Sequence, residues 1–177
     1  MKWSTWGVAS LLGALLISAL PAWSWGNDGH RTIGMVADII LDQAPATRDR
    51  VRQILGENSL SEVSVWADCA KAFRYCHRSP TAEEAAFAEE NPRHHLFHYT
   101  DVPVQQSQYR AGTAGTRTDD VVQVITHAVN VLRGRAPNHG PAILNERNAL
   151  WLLAHLVGDV HQPLHVGAVY FDSECEK

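Results

Sequence analysis

The sequence predicts an all-α protein, a single multi-helix domain. Three observations carry this. Apolar residues recur at helical spacing along most of the chain, alternating strand patterns are scarce, and the breaks between periodic stretches coincide with Pro, Gly and Asn. The first helix spans His30 to Leu41, with Ile33, Val36, Ala37 and Ile40 on one face. Ala46 to Leu55 forms a second and Ser59 to Phe73 a third, opened by a Ser59-x-x-Glu62 capping box. Asn91-Pro92 marks a break, and residues 102–117, with Pro103, Gly112 and Gly115, read as a loop. Asp119 to Leu132 is the next helix, its acids in the first turn suiting the helix dipole. The clearest helix runs from about Pro141, a favoured first-turn residue, to about His161.

The segment ahead of these helices has a different character. Lys2 precedes an apolar run from Val8 to Leu20, followed by Pro21, Ala22 and Ser24, the layout of a secretory signal peptide cleaved after Ser24. The run is short for a membrane span, so residues 1–24 are expected to be removed and residues 25–177 to be secreted or periplasmic, without stable membrane association. Removal takes Lys2 from 15 basic residues and none of the 19 acids, leaving a formal net charge of −5. A protein that holds nucleic acid through a broad basic face normally shows the opposite balance, so a phosphate substrate would need positive charge from another source, bound metal above all. Cys69 and Cys76, seven apart, can be bridged in an exported chain if the helix ends or bends between them, and Cys175 is left over.

The stretch HLVGDVHQPLH, residues 155–165, is the most informative. His155 and Asp159 are four apart, neighbours on one helix face and able to grip an ion. Pro163 then interrupts the ladder, so His165 can turn toward the same site, while His161 and Gln162 suit solvent. Taken singly, these residues have plain readings: a surface His/Asp pair, a solvated Asp68 in SVWADCAK, and a packed His98 between Phe97 and Tyr99. Ten histidines nevertheless exceed what packing needs, and imidazole with carboxylate favours zinc or a similar ion.

Four segments in order, WGNDGH at 25–30, WAD at 66–68, HYTD at 98–101 and HLVGDVHQPLH at 155–165, make Trp25 to about Val169 resemble the S1/P1 zinc-dependent nucleases, whose fold is shared with bacterial zinc-dependent phospholipase C. The resemblance implies three zinc ions in one cleft. One would be held by Asp68, His98, His155 and Asp159. A second, sharing Asp159, would take His30 with the amine and carbonyl oxygen of Trp25. An α-amine titrating near about 7.7–8 becomes a ligand once a cation displaces its proton, so cleavage after Ser24 would build that site. His165 matches one ligand of the third zinc. The remaining ligands belong to a later His-x-x-x-Asp segment absent from this sequence, so two sites are expected to be complete and the third to lack ligands, in a truncated record or a chain that has lost the site.

The activity implied is hydrolysis of phosphodiester bonds in single-stranded DNA or RNA to 5′-phosphorylated nucleotides, with 3′-nucleotidase activity. Asp68 and Asp159 would serve catalysis through the metal pair, and Lys71, one turn after Asp68, would lie near the scissile phosphate. Tyr99 would stack a base and Asp101 would hydrogen-bond it. A lipid-directed phospholipase C of the same fold and a non-catalytic zinc-binding remnant are the alternatives. No protein partner is expected.

Overall fold

The computed structural model describes residues 26–71, 73–136 and 140–171. The expected signal segment, Trp25 and Cys175 lie outside the described residues. The described chain is helical apart from one short parallel pairing. Helix α1 spans Asn27–Leu41 and α2 spans Pro45–Leu55, opening on a proline at its first position and stopping at Gly56, whose φ of 67° no other residue adopts cheaply.

The stretch read as one helix from Ser59 to Phe73 is instead interrupted: α3 spans Leu60–Val63 and α4 Trp66–Lys71. The Ser59/Glu62 capping box is present, so the start was legible and the break was not. Ser64 sits at the break, its hydroxyl donating to the Ser61 carbonyl. Helix α5 spans Phe73–Cys76, and the Cα atoms of Cys69 and Cys76 stand 5.3 Å apart, joined by the disulfide. Helix α6, Ala82–Glu90, was missed from sequence; its Thr81/Glu84 capping box is complete, and it ends at Asn91.

Helix α7 spans Val121–Leu132. Asp120 is its N-cap, accepting the Val122 and Gln123 amides, so the acids expected in its first turn stand before it. Helix α8 spans Glu146–Val160 rather than starting near Pro141, because Asn145 forms a capping box with Asn148.

Helix α8 is the axis of the core. It packs on α7 along its length and touches α1, α2, α3 and α4. Leu150, Trp151, Leu152 and Leu156 meet Trp66, Phe87, Phe97, Val121 and Val124, with Trp66 edge-on to both Phe87 and Trp151 at ring separations of 4.9 and 5.2 Å. Helix α1 approaches α3 so closely that a Cβ on Gly34 would stand 2.6 Å from the Leu60 carbonyl oxygen, and Asp38 caps α3 by accepting the Leu60 and Ser61 amides at 3.0 and 3.1 Å. Val102–Pro103 (β1) pairs in parallel with Gly167–Ala168 (β2), Val102 opposite Gly167. Together with Thr100 N donating to His165 O at 2.8 Å, this bridge seats the HYTD segment against the one that follows α8.

Candidate metal centre

Four elements bring their polar side chains to one buried point. Helix α1 supplies His30 from its first turn, α4 supplies Asp68, the turn after Leu96 supplies His98, and α8 supplies His155 and Asp159. All five are buried. The i, i+4 spacing on α8 works as expected, with His155 Nε2 3.2 Å from Asp159 Oδ2. His98 Nδ1 lies 3.1 Å from the same oxygen and 3.1 Å from His155 Nε2. Asp68 Oδ1 is 3.8 Å from His98 Nδ1 and 3.9 Å from His155 Nε2. On the other side, His30 Nε2 is 3.5 Å from Asp159 Oδ1, and its ring stacks on His155 with centroids 3.7 Å apart.

Two ligand triads result, His30/His155/Asp159 and Asp68/His98/His155, each with donor atoms within 4.8 Å of one another. Orientation of the rings fits a metal. His155 donates its Nδ1–H to the Ser64 carbonyl at 2.6 Å, which fixes the tautomer and turns Nε2 to the cluster. That carbonyl is free for the ring because α3 and α4 are interrupted at Ser64. His30 Nδ1 is buried with no hydrogen-bond partner among the described residues, and His98 Nδ1 and His155 Nε2 face each other at 3.1 Å, a placement that also suits two ligands of one cation. Three imidazoles and two carboxylates suit zinc-type coordination.

Helix α8 also makes room. A Cβ on Gly158 would meet His30 Nδ1 at 2.9 Å, so the glycine before Asp159 admits the α1 histidine. Gln162 is buried rather than solvated; its side chain caps the Pro163–His165 turn by accepting the Leu164 amide, while His161 stays exposed. That turn brings His165 back toward the cluster, as its position after Pro163 suggested: Nδ1 donates to the His98 carbonyl at 2.7 Å and lies 3.6 Å from Asp159 Oδ1.

The electrostatics follow from burial. Desolvation, helped by the nearby His155 charge, lowers His30 to about 4. Burial likewise lowers His98 to about 4, against the pull of Asp159. For His155, burial opposes the charge, but the hydrogen bond and charge of Asp159, with Asp68 behind, outweigh it and raise the pKa. Burial pushes Asp159 upward, yet hydrogen bonds from His155 and His98 hold it far below the usual carboxylate range. Asp68 is also lowered, burial being outweighed by His155, Lys71 and His98.

Lys71 Nζ sits 2.8 Å from Asp68 Oδ1 and 4.6 Å from the Tyr75 ring centroid. Tyr99, half-buried, follows His98, and Asp101 lies at the partly exposed edge of the same segment. Arg117, which sequence reasoning did not single out, places its guanidinium 4.5 Å from the Tyr99 ring centroid. Ser64 and Arg117 were invisible because each acts through a contact distant in sequence; a basic residue in a Gly-rich loop just ahead of the Asp119-Asp120 pair was the available sign for the second.

The family model described as S1/P1 Nuclease matches residues 25–174. The chain belongs to the S1/P1 nuclease family. Among curated relatives of this family member, Nuclease S1 of Aspergillus oryzae is 30% identical over 159 residues, covering 86% of this chain and 47% of the relative. Endonuclease 2 of Arabidopsis thaliana is 29% identical over 160 residues, covering 86% of this chain and 49% of its own length. This S1/P1 family chain thus spans about half the length of the curated relatives it matches.

Proposed function

We infer that this chain carries the principal metal-binding residues of a zinc-dependent nuclease that hydrolyses phosphodiester bonds of single-stranded DNA or RNA to 5′-phosphorylated nucleotides, with 3′-nucleotidase activity. The observation that carries the reading is the pair of ligand triads that share His155, with Asp159 reaching toward both. Asp68, His98, His155 and Asp159 would hold one zinc. His30 and Asp159, with the amine and carbonyl oxygen of Trp25 after cleavage at Ser24, would hold a second, and His165 would offer a ligand to a third.

Zinc bound there supplies a water acidified toward neutral pH and positive charge against the phosphate. The protein's own residues do the positioning. Asp159 presents its two oxygens to opposite halves of the cluster, Oδ1 toward His30 and Oδ2 toward His98 and His155. Lys71, anchored on Asp68, would add a cation beside the substrate phosphate. Tyr99 would stack a splayed base and Asp101 would accept its N–H, contacts that a single strand permits and a duplex does not. Residues 1–24 would direct export to periplasm or medium and residues 25–177 would form the nuclease-like domain; the Cys69–Cys76 disulfide suits that compartment.

The experiment is metal analysis and hydrolysis in parallel on the processed chain. Zinc should bind, Asp159→Asn should lose it from both halves of the cluster, and single-stranded DNA should be cleaved in preference to phosphatidylcholine. A chain that binds no zinc, or whose cleavage survives chelation, refutes the reading. Preferred turnover of phosphatidylcholine would assign it to lipid phosphodiesters instead, and zinc binding without any hydrolysis would mark a binding remnant.

A further inference from the structure

Arg117 is fixed in four directions at once. Its Nη2 donates to the carbonyls of Leu96 at 2.9 Å and Tyr99 at 3.2 Å. Nη1 lies 3.7 Å from Asp101 Oδ2, and Nε 3.6 Å from Asp119 Oδ1. The guanidinium carbon stands 4.5 Å from the centroid of the Tyr99 ring, and the Arg117 amide donates to Asp120 Oδ2 at 3.0 Å. Asp120 is itself completely buried and also receives the hydroxyls of Thr100 and Tyr109. One side chain therefore ties together the whole segment from Leu96 to Asp101.

Asp101 is held from the other side as well. Its amide donates to Gly115 O at 2.9 Å, and the Tyr170 hydroxyl donates to its carbonyl at 2.9 Å. Gly115 has φ of 80°, and a Cβ there would fall 1.8 Å from that carbonyl oxygen, so only glycine lets the loop close on Asp101. With the backbone fixed, Arg117 draws Oδ2 toward itself, and Oδ1 remains to accept an N–H from outside.

The geometry points to Arg117 as a positioning and specificity-determining residue: it covers one face of Tyr99, leaves the opposite face to a nucleobase, and aims Asp101 at the edge of that base. This rests on the base contacts assigned above to Tyr99 and Asp101. An ionised carboxylate only accepts hydrogen bonds. It therefore favours guanine, which offers adjacent N1–H and N2–H donors, over thymine, whose single N3–H is flanked by two carbonyl oxygens that the carboxylate repels.

The test uses the zinc-loaded chain and calorimetric titration with guanosine 5′-monophosphate, thymidine 5′-monophosphate and ribose 5-phosphate, a probe with no base. Wild type should bind the guanine nucleotide most tightly. Arg117→Gln should weaken that binding about tenfold, the scale of one charged contact, and narrow the guanine-to-thymine ratio, while zinc stoichiometry and ribose 5-phosphate affinity stay the same. Arg117→Lys, which keeps the charge and loses the planar fork, should recover only part of the loss. Asp101→Asn provides a second route at a partly exposed position: alone it should cut the guanine preference, and in the Arg117→Lys background it should cut it less. Unchanged guanine-nucleotide binding in the Arg117 variants overturns the inference, as does an equal loss for ribose 5-phosphate. Wild type binding ribose 5-phosphate as tightly as the nucleotides would instead remove the base contacts of Tyr99 and Asp101, a separate result that takes this inference with it.

Discussion

Acidifying the metal-free chain should unfold it well before its carboxylates titrate. The unfolded chain binds protons on His30 and His98 near 6.5, whereas burial holds both to about 4 in the folded state. Between those values the unfolded state carries more protons, so unfolding free energy rises with pH there and stability is lost as pH falls from about 6.5 to 4. At about 1.4 kcal/mol per pH unit, each imidazole accounts for about 3 kcal/mol. The two share His155 and Asp159, so their contributions are coupled and their joint effect lies between about 3 and 6 kcal/mol, a large part of the roughly 5–15 kcal/mol a domain possesses. His155 has the opposite sign: its raised pKa gives stability that is complete below about 6.5 and lost as pH rises through the folded value. Asp68 and Asp159 are lowered, so their contribution is lost only at lower pH, below the unfolded carboxylate value of about 3.9. Stability should therefore peak near neutrality and fall steeply toward pH 4. Urea unfolding of chelator-treated chain, followed by far-ultraviolet circular dichroism across pH 7 to 4.5, measures this, and His98→Asn should reduce the slope by about half. A midpoint that stays level over that range would refute the burial of two neutral histidines.

Two predictions concern the scaffold. Gly34→Ala should destabilise by about 1–3 kcal/mol, because its new methyl meets the Leu60 carbonyl and the Ser61 Cα at 2.6 Å and backbone cannot give way; an unchanged urea midpoint would mean α1 and α3 are further apart. Arg78→Ala should cost about 2 kcal/mol by leaving the fully buried Glu84 without its guanidinium, a cost moderated by the exposure of Arg78. Both are read from the urea midpoint, where Glu84→Gln should cost less, since its remaining carbonyl oxygen can still cap the Thr81 amide.

Much of the site was legible because helical spacing is a local rule. His155 and Asp159 share a face of α8 for the reason their numbering suggests, and Pro163 ends the helix so that His165 turns inward. Helix ends were harder wherever capping competed with periodicity. Apolar spacing carried the expected helix through Ser64, but the chain bends there, and the Ser64 carbonyl released by that bend is what orients His155. Pro141 looked like a helix start, yet the Asn145/Asn148 capping box satisfies the first amides of α8 further on. Gln162 looked solvated as a polar residue beside Pro163; its burial depends on a turn that only the folded chain defines.

The surroundings of the buried carboxylates separate scaffold from site. Glu84 is buried beneath its own guanidinium and its own cap, and Asp120 receives donors from both termini of the loop it closes, so each carboxylate is satisfied where it stands. The cluster around Asp159 is different: its carboxylates face imidazole nitrogens that also face one another, and one ring nitrogen of His30 meets nothing among the described residues. Trp66 Nε1 and Trp151 Nε1 in the core also lack a hydrogen-bond partner among the described residues, so what sets the cluster apart is the gathering of three histidines and two aspartates from four elements at a single buried point. Imidazole and carboxylate donors packed this closely, within two overlapping triads, form a set of ligands suited to a cation, and those on α4 and α8 come from helices whose other buried residues are mostly apolar.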